Sequence, residues 1–145
     1  MHTSLLLITT LLTTALSLPQ GSAPSGPGPW SVTNYDPGCG TSPAGCAYSF
    51  NITYTPTSHP SSPIEPGFST SCNGTDVDQD GYKPCADASV ASKTGPGIGN
   101  FTLFMQHSWV CEGVAYTETG NKTITELETA GQSFEIVPSV ITAVA

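Results

Sequence analysis

One stretch of the chain, Cys46–Tyr54, alternates large apolar residues with small or polar ones. The residues on the apolar parity are Tyr48, Phe50, Ile52 and Tyr54. Because a β-strand directs successive side chains to opposite faces, this pattern predicts a half-buried strand with an aromatic inner face. The other parity includes Asn51, which begins an Asn-Ile-Thr glycosylation triplet and so requires a solvent-exposed outer face.

The amino terminus has the features of a secretion signal. Leu5–Leu16 is an apolar run interrupted only by threonines, too short to span a bilayer. The small residues Ala15 and Ser17 predict cleavage after Ser17, and a cut after Ala23 is the alternative. The mature protein is therefore expected to be extracellular.

Three segments follow from this reading of the chain. Residues 1–17 are predicted to be the signal peptide. Residues 18–29 are rich in Gly, Pro and Ser and predict a flexible arm. Residues 30–145 are predicted to form a single β domain.

The charge balance argues against two classes of partner. The chain has three lysines and no arginine against eleven acidic residues, a formal net charge of −8. Nucleic acid phosphates require clustered cations, so a nucleic acid partner is not expected. An electrostatic hold on an anionic membrane is not expected either.

Short apolar or alternating segments separated by turn residues continue through the chain and show no helical period. A Gly120-Asn121 dipeptide between two of them predicts a hairpin turn. Thr55–Gly67 contains four prolines and predicts a surface loop. The pattern predicts an all-β fold, a compact antiparallel barrel or sandwich of about eight strands stapled by disulfides. The predicted strands are Trp30–Tyr35, Ala47–Tyr54, Phe68–Ser71, Ala86–Ser92, Asn100–Val110, Val114–Thr119, Lys122–Leu127, Gln132–Val137 and Val140–Val144.

Five cysteines leave one thiol unpaired or paired between chains, and about fifteen pairing schemes are possible. The preferred bridge is Cys72–Cys85, which would clamp a polar loop that has no apolar pattern of its own. The next is Cys39–Cys46, which would leave Cys111 free or as an intermolecular link. A competing scheme joins Cys111 to Cys46 or Cys39.

Asparagine-linked glycosylation is predicted at four triplets, of which at least two are expected to be occupied. The candidate residues are Asn51, Asn73, Asn100 and Asn121. Asn121 is also a residue type that turns select for positive φ, so its presence has a purely structural alternative.

An acidic loop matches the first half of a calcium-binding loop. Asp76, Asp78 and Asp80 occupy positions one, three and five, and Gly81 occupies position six. Asp87 falls at position twelve, where a glutamate is normal. Flanking helices are not predicted, and a solvated acidic tip is the favoured interpretation. Calcium is therefore a hypothesis, and no other cofactor is expected.

Catalytic chemistry is not evident in the sequence, and the chain is not predicted to be an enzyme. His59 and His107 are far apart in sequence, and His107 is expected to bond a neighbouring hydroxyl. The candidates for a glycosidase-type carboxylate pair are Glu65, Glu112, Glu118, Glu126 and Glu128. Spacing selects no two of them.

Aromatic and cysteine positions between Trp30 and about Val137 form a set of motifs: Trp30-Ser-Val-Thr-x-Tyr, a Cys pair before Tyr48-x-Phe50-x-Ile52, Cys72-x-Gly74, Tyr82-x-x-Cys85-x-Asp87, Asn100-Phe-Thr-Leu and His107. These motifs resemble those of small secreted fungal proteins, in particular the Alternaria major allergen family. The resemblance implies a compact β-barrel with two internal disulfides. It also implies a fungal allergen, effector or elicitor that acts on plant defence; members dimerise through a cysteine or bind small aromatics.

The expected function is therefore surface binding to a host extracellular component, through the Thr55–Gly67 loop or the Cys72–Cys85 loop. The protein would be a monomer or a cysteine-linked dimer. The alternative is a carbohydrate- or wall-binding module, with or without calcium, that uses the aspartate loop and exposed aromatics such as Tyr82 or Trp109. A small hydrolase is a third hypothesis.

Overall fold

The structure, a computed structural model, describes residues 28–38, 47–56, 65–75, 81–95, 100–125 and 130–145, without the side chains of 37, 38, 100 and 101. The predicted signal peptide and most of the predicted arm lie outside these residues. The described part of the chain contains no helix that could cross a membrane.

In the described part of the chain, nine antiparallel strands form two sheets. They are β1 (Trp30–Gly38), β2 (Ala47–Tyr54), β3 (Phe68–Thr75), β4 (Lys83–Pro84), β5 (Val90–Thr94), β6 (Asn100–Cys111), β7 (Val114–Thr125), β8 (Gln132–Ile136) and β9 (Pro138–Val144). One sheet has the order β3-β2-β1-β8 and the other has β4-β5-β6-β7-β9. The predicted all-β class is confirmed, and the architecture is a sandwich.

The inner faces of both sheets supply the core. Burial along β2 alternates residue by residue, which confirms the aromatic inner face predicted for this strand. Trp30 is buried and its ring packs edge-on against Phe68, with centroids 5.9 Å apart. The other sheet contributes Leu103 and Met105. The apolar layer between the sheets is the main source of stability.

The predicted Cys72–Cys85 disulfide is present and closes one side of the sandwich. It joins β3, at the edge of the first sheet, to the segment that leads into β5 of the second. Beside it, Ala86 N donates to Ser71 O at 2.9 Å and Asp87 N to Thr70 Oγ1 at 2.8 Å. The first bond occupies a backbone carbonyl of β3 and the second a side-chain hydroxyl, and together they place residues 86–87 along what would otherwise be an open sheet edge.

Two predicted strands run further than the sequence pattern indicated. β1 continues past Tyr35 to Gly38 because Pro37 and Gly38 remain in register with β2. A bulge at Asn34, where φ is 53°, shifts the register on the way. β3 continues past Ser71 to Thr75.

The prediction of a strand at Ala86–Ser92 is wrong at its beginning. Asp87 Oδ1 accepts hydrogen bonds from the Ser89 amide at 2.9 Å and the Ser89 hydroxyl at 2.8 Å. The Val90 amide donates to Asp87 O at 3.1 Å. These bonds fold residues 87–90 into a turn, so β5 begins only at Val90.

The prediction of a hairpin turn at Gly120-Asn121 is also wrong. β7 passes straight through both residues, and they pair with Met105 and Phe104 of β6. The turn instead lies at Glu112-Gly113, where φ is 51° and 82°. Positive φ at both central residues is characteristic of the type I′ turn that matches the twist of a two-residue hairpin.

Gly120 is present because another segment packs closely on it. A Cβ at this position would lie 2.8 Å from Ile136 Cγ2 and 3.2 Å from Pro138 Cα. The corner between β8 and β9 therefore occupies the space that a side chain would need. A glycine inside a strand is known to mark such close approaches.

We expect Gly120→Ala to lower the free energy of unfolding by about 1–3 kcal/mol, because Ile136 and the β8–β9 corner must shift. Gly81→Ala is the matched control, since a Cβ there would meet nothing within 4 Å. Urea denaturation followed by circular dichroism measures both. Equal midpoints for the two variants would contradict the close approach.

We expect Glu112→Asn to raise the free energy of unfolding by about 0.5–1 kcal/mol, because asparagine tolerates positive φ better than glutamate. The side chain is exposed, so the backbone effect is measured with little interference from packing. Thermal and urea midpoints provide the test, and Glu135→Asn on β8 is the control. A loss of stability in Glu112→Asn alone would contradict the proposed turn geometry.

Candidate functional site

Three ionisable side chains meet inside the sandwich. Glu65, His107 and Glu118 are 7%, 2% and 0% exposed. His107 and Glu118 are direct cross-strand partners on β6 and β7, so both project from the inner face of the same sheet. Glu65 enters from the connection that precedes β3. We call these three residues the buried acid cluster.

The Glu65 carboxylate is the centre of the buried acid cluster. Its Oε1 lies 2.7 Å from His107 Nδ1 and accepts a hydrogen bond from Trp30 Nε1 at 3.2 Å. The Tyr54 hydroxyl is also hydrogen-bonded to Glu65. Burial raises the Tyr54 pKa, and the negative charges of Glu65 and Glu118 raise it further. The phenol therefore remains a neutral donor to the carboxylate.

Glu118 holds a proton near neutral pH. With both carboxyl groups ionised, Glu118 Oε1 and Oε2 and Glu65 Oε2 find no donor among the described residues. A proton on Glu118 supplies the missing donor. Burial, then the hydrogen bond with Glu65, then the charge of Glu65 raise the pKa of Glu118 to about 8. The Glu118 proton thus lies in the hydrogen bond between the two carboxyl groups, and we call it the shared proton.

Aromatic rings surround the buried acid cluster. The His107 ring lies 4.4 Å from Phe68 and stacks on Trp109 at 5.2 Å, measured between centroids. Trp109 in turn stacks on Tyr116 at 5.6 Å. This apolar surrounding lowers the local dielectric, which strengthens the hydrogen bonds inside and penalises a second negative charge.

The chemistry available to this arrangement is proton binding. Its donors and acceptors face one another, and its carboxyl groups are buried too deeply to contact a large substrate. The described residues contain no group of three His, Cys, Asp or Glu side chains placed to hold a metal ion.

The expectation for His107 is wrong in its partner, which is a carboxylate and not a hydroxyl. A signal for the site was present, because His107 shares the parity of Leu103 and Met105, and Glu118 shares that of Tyr116. Polar residues on an apolar parity indicate buried polar contacts. Glu65 has no such signal. Of the other acids considered, Glu112 is exposed in the turn and Glu126 and Glu128 lie outside the described residues, as does His59.

Three of the four predicted glycosylation residues are described and exposed: Asn51, Asn73 and Asn121. Asn51 lies on the outer face of β2, as its parity predicts. Asn73 lies on β3, and Asn121 lies within β7 instead of at a hairpin tip. The side chain of Asn100, the first residue of β6, is not described. Occupancy stays a prediction.

The remaining cysteines and the predicted calcium loop are covered only in part. Cys111 is a free, half-buried thiol at the end of β6. Cys39 and Cys46 lie outside the described residues, and so do Asp76, Asp78 and Asp80. Asp87 is described, and its carboxylate is bonded to Ser89. This bonding lowers its pKa, first through the Ser89 amide and then through the Ser89 hydroxyl.

The aromatic residues suggested as a carbohydrate platform are engaged within the chain. Trp109 stacks against His107 and Tyr116. Lys93 Nζ lies over the ring of Tyr82, 5.0 Å from its centroid. Both aromatic residues are half-buried. The predicted contact loops are described only at their ends, since residues 57–64 and 76–80 lie outside the described part.

An open groove of about 500 Å³ lies at the end of the first sheet that is remote from the buried acid cluster. Its lining includes Asp36, Tyr48, Asn73 and Lys83. A glycan on Asn73 would stand at its rim.

Comparison of the chain with protein-family models, with curated proteins and with solved structures finds no match.

The shared proton makes stability depend on pH. In the unfolded chain Glu118 has its ordinary pKa of 4.5, and in the folded protein its pKa is about 8. Between these values the folded protein binds the extra proton, so stability is highest below the lower value and falls as pH rises to the higher one. The slope is at most about 1.4 kcal/mol per pH unit.

We expect Glu118→Gln to remove this dependence, because glutamine keeps the shape of the protonated acid without its titration. The measurement is the difference in thermal midpoint between wild type and variant across the pH range. The difference should move in favour of the variant as pH rises. The same comparison for Glu135→Gln, at an exposed position of β8, should show no such trend. If the difference in thermal midpoint between wild type and Glu118→Gln stays constant with pH, the shared proton is refuted.

Proposed function

We propose that the protein is secreted and acts without catalysis, as an effector-like or allergen-like protein that binds an extracellular protein of a host. The amino-terminal apolar run, the exposed glycosylation triplets and the resemblance to small secreted fungal proteins support this proposal. The Cys72–Cys85 disulfide is compatible with an oxidising compartment.

The observation that carries the proposal is the character of β9. It is one of the two edge strands of the five-stranded sheet and pairs only with β7 among the described strands. Val140, Ile141 and Val144 are 51%, 49% and 69% exposed, and the strand carries no charged residue. An exposed, uncharged, β-branched edge is a favourable place for another strand to add.

The other sheet edges are protected by features that discourage such pairing. β3 is covered by the segment around the disulfide. β4 has only two residues, Lys83 and Pro84, and β8 carries the exposed Glu135. Charge, proline and short length are the usual means of preventing edge-to-edge contact. β9 is the exception among the described edges.

The predicted glycans would leave β9 accessible. Asn51 and Asn73 belong to the first sheet, where glycans would cover the outer face. Asn121 lies on β7 one residue beyond Gly120, which pairs with the start of β9 at Pro138. Val144 lies at the other end of β9, opposite Ala115, whereas Val140 pairs with Thr119, two residues before Asn121. The end of β9 around Val144 is therefore the part that a glycan on Asn121 leaves most accessible.

A strand edge favours a polypeptide as the partner over a glycan. Its unpaired amide and carbonyl groups are spaced to match another extended backbone, and its alternating aliphatic side chains suit a partner of the same kind. The carbohydrate-binding alternative would require free aromatic faces, whereas Trp109 and Tyr82 already contact other side chains of the chain.

The test introduces charge on the edge. We expect Val140→Lys combined with Val144→Lys to abolish capture of a protein from plant apoplastic fluid, because lysine on an edge strand opposes strand addition. The control combines Ala130→Lys with Ser133→Lys, at exposed positions near β8 with the same change in charge. The captured protein is then purified and its binding to wild type and both variants is measured directly.

Capture that is equal for the edge variant and the control would count against the proposal. Light scattering of the purified protein measures its molar mass, and a dimer would identify a second copy of this chain as the partner at β9. Retention on chitin, glucan or cellulose that is insensitive to the edge lysines would favour the carbohydrate-binding alternative.

A further inference from the structure

Glu65 differs from its two partners in how its backbone is held. It lies in the connection before β3, outside every strand. Its place in the core depends on side-chain bonds from Trp30, Tyr54 and His107. His107 and Glu118, in contrast, lie on strands that are paired on both sides, β6 between β5 and β7 and β7 between β6 and β9.

We propose that the buried acid cluster is a proton-operated switch, in which the proton shared by Glu65 and Glu118 keeps the Glu65 side chain in the core and loss of that proton releases it. The switch does not depend on the binding of a partner at β9, and either proposal can fail alone.

The proton balance defines the two states. In the closed state Glu118 is protonated and donates to Glu65, whose single negative charge is stabilised by the donors around it. When base removes that proton to water, two carboxylates face each other in an apolar layer. Like charges at short range and low dielectric repel strongly, so one of them must move toward solvent.

Glu65 is the group that moves most easily. Glu118 lies on the inner face of a strand that is paired on both sides, so its side chain reaches solvent only if β7 itself moves. The contacts that the described residues make with Glu65, besides that with Glu118, are those of Trp30, Tyr54 and His107. Those three side chains and Phe68 would then face the vacated space. The opened state thus exposes an aromatic end of the core while the two sheets stay intact.

Three ionisable groups of the described residues face Glu118. They are Glu65 from the β2–β3 connection, Tyr54 from β2 and His107 from β6. Tyr54 stays neutral because its pKa is raised by burial and by the two carboxylates. Lys122 lies on the same face of β7, but its ammonium lies over the Phe134 ring, 5.8 Å from the centroid. Lys122 is thus placed toward β8 and away from the carboxyl pair.

The Trp30 indole N–H measures the switch directly, because it donates to Glu65 in the closed state. We expect its NMR signal to shift between about pH 6 and about pH 9 with the midpoint of the Glu118 titration. Above the midpoint, its hydrogen exchange should be about tenfold faster than base catalysis alone gives. The variant Trp109→Phe identifies the Trp30 signal.

In Glu118→Gln, the chemical shift of the Trp30 indole N–H should stay at its closed-state value across this pH range. In Glu135→Gln, it should change with pH as it does in the wild type. Should Glu118→Gln fail to fold, carbon-13 labelling of glutamate in the wild type gives the same midpoint from the carboxyl carbon. The core amides of Val32 and Ile52 should stay protected throughout.

A Trp30 transition that persists in Glu118→Gln would overturn the switch. So would a wild type whose Trp30 signal does not change in this range, or whose core amides lose protection together with Trp30. Loss of capture at β9 with the switch intact would point to failure of the proposed function alone.

Discussion

The two sheets are held face to face by side chains that every second residue contributes to the layer between them. In β2 this is a row of aromatic and aliphatic residues, and in β6 it is Leu103, Met105 and then His107. Because alternate residues of a strand point inward, a residue at an inward position is buried whether it is polar or apolar. The position of His107 and Glu118 in the core is thus fixed by strand register, and their hydrogen bonds are the compensation that burial requires.

The same sandwich treats its two sides differently. On one side the disulfide between Cys72 and Cys85, together with the amides of Ala86 and Asp87, joins the sheets and occupies the edge of β3. On the other side the corner between β8 and β9 packs on Gly120, and β9 then continues as an exposed edge. The molecule therefore has one covered sheet edge, at β3, and one exposed sheet edge, at β9.

Local pattern predicted most of the strands because alternation is visible within a few residues. It failed where one residue type serves two purposes. Gly120-Asn121 has the composition of a hairpin turn, yet Gly120 is required for the close approach of Ile136, a residue 16 positions later. The true turn uses Glu112, whose type gives no indication of positive φ. Asp87 falls at position twelve of the hypothetical calcium loop, a pattern that gives no indication of the turn before β5 that its carboxylate forms with Ser89.

The sequence by itself determined the all-β class and the inner and outer faces of β2, since these depend on neighbouring residues. It favoured Cys72–Cys85 among the possible bridges without excluding the others. Tertiary structure alone decided that Glu65 meets His107 and Glu118, which are 42 and 53 residues away along the chain. It also decided that β9 is an edge. Contacts between distant segments arise from sheet order and register, and no single segment encodes either of them.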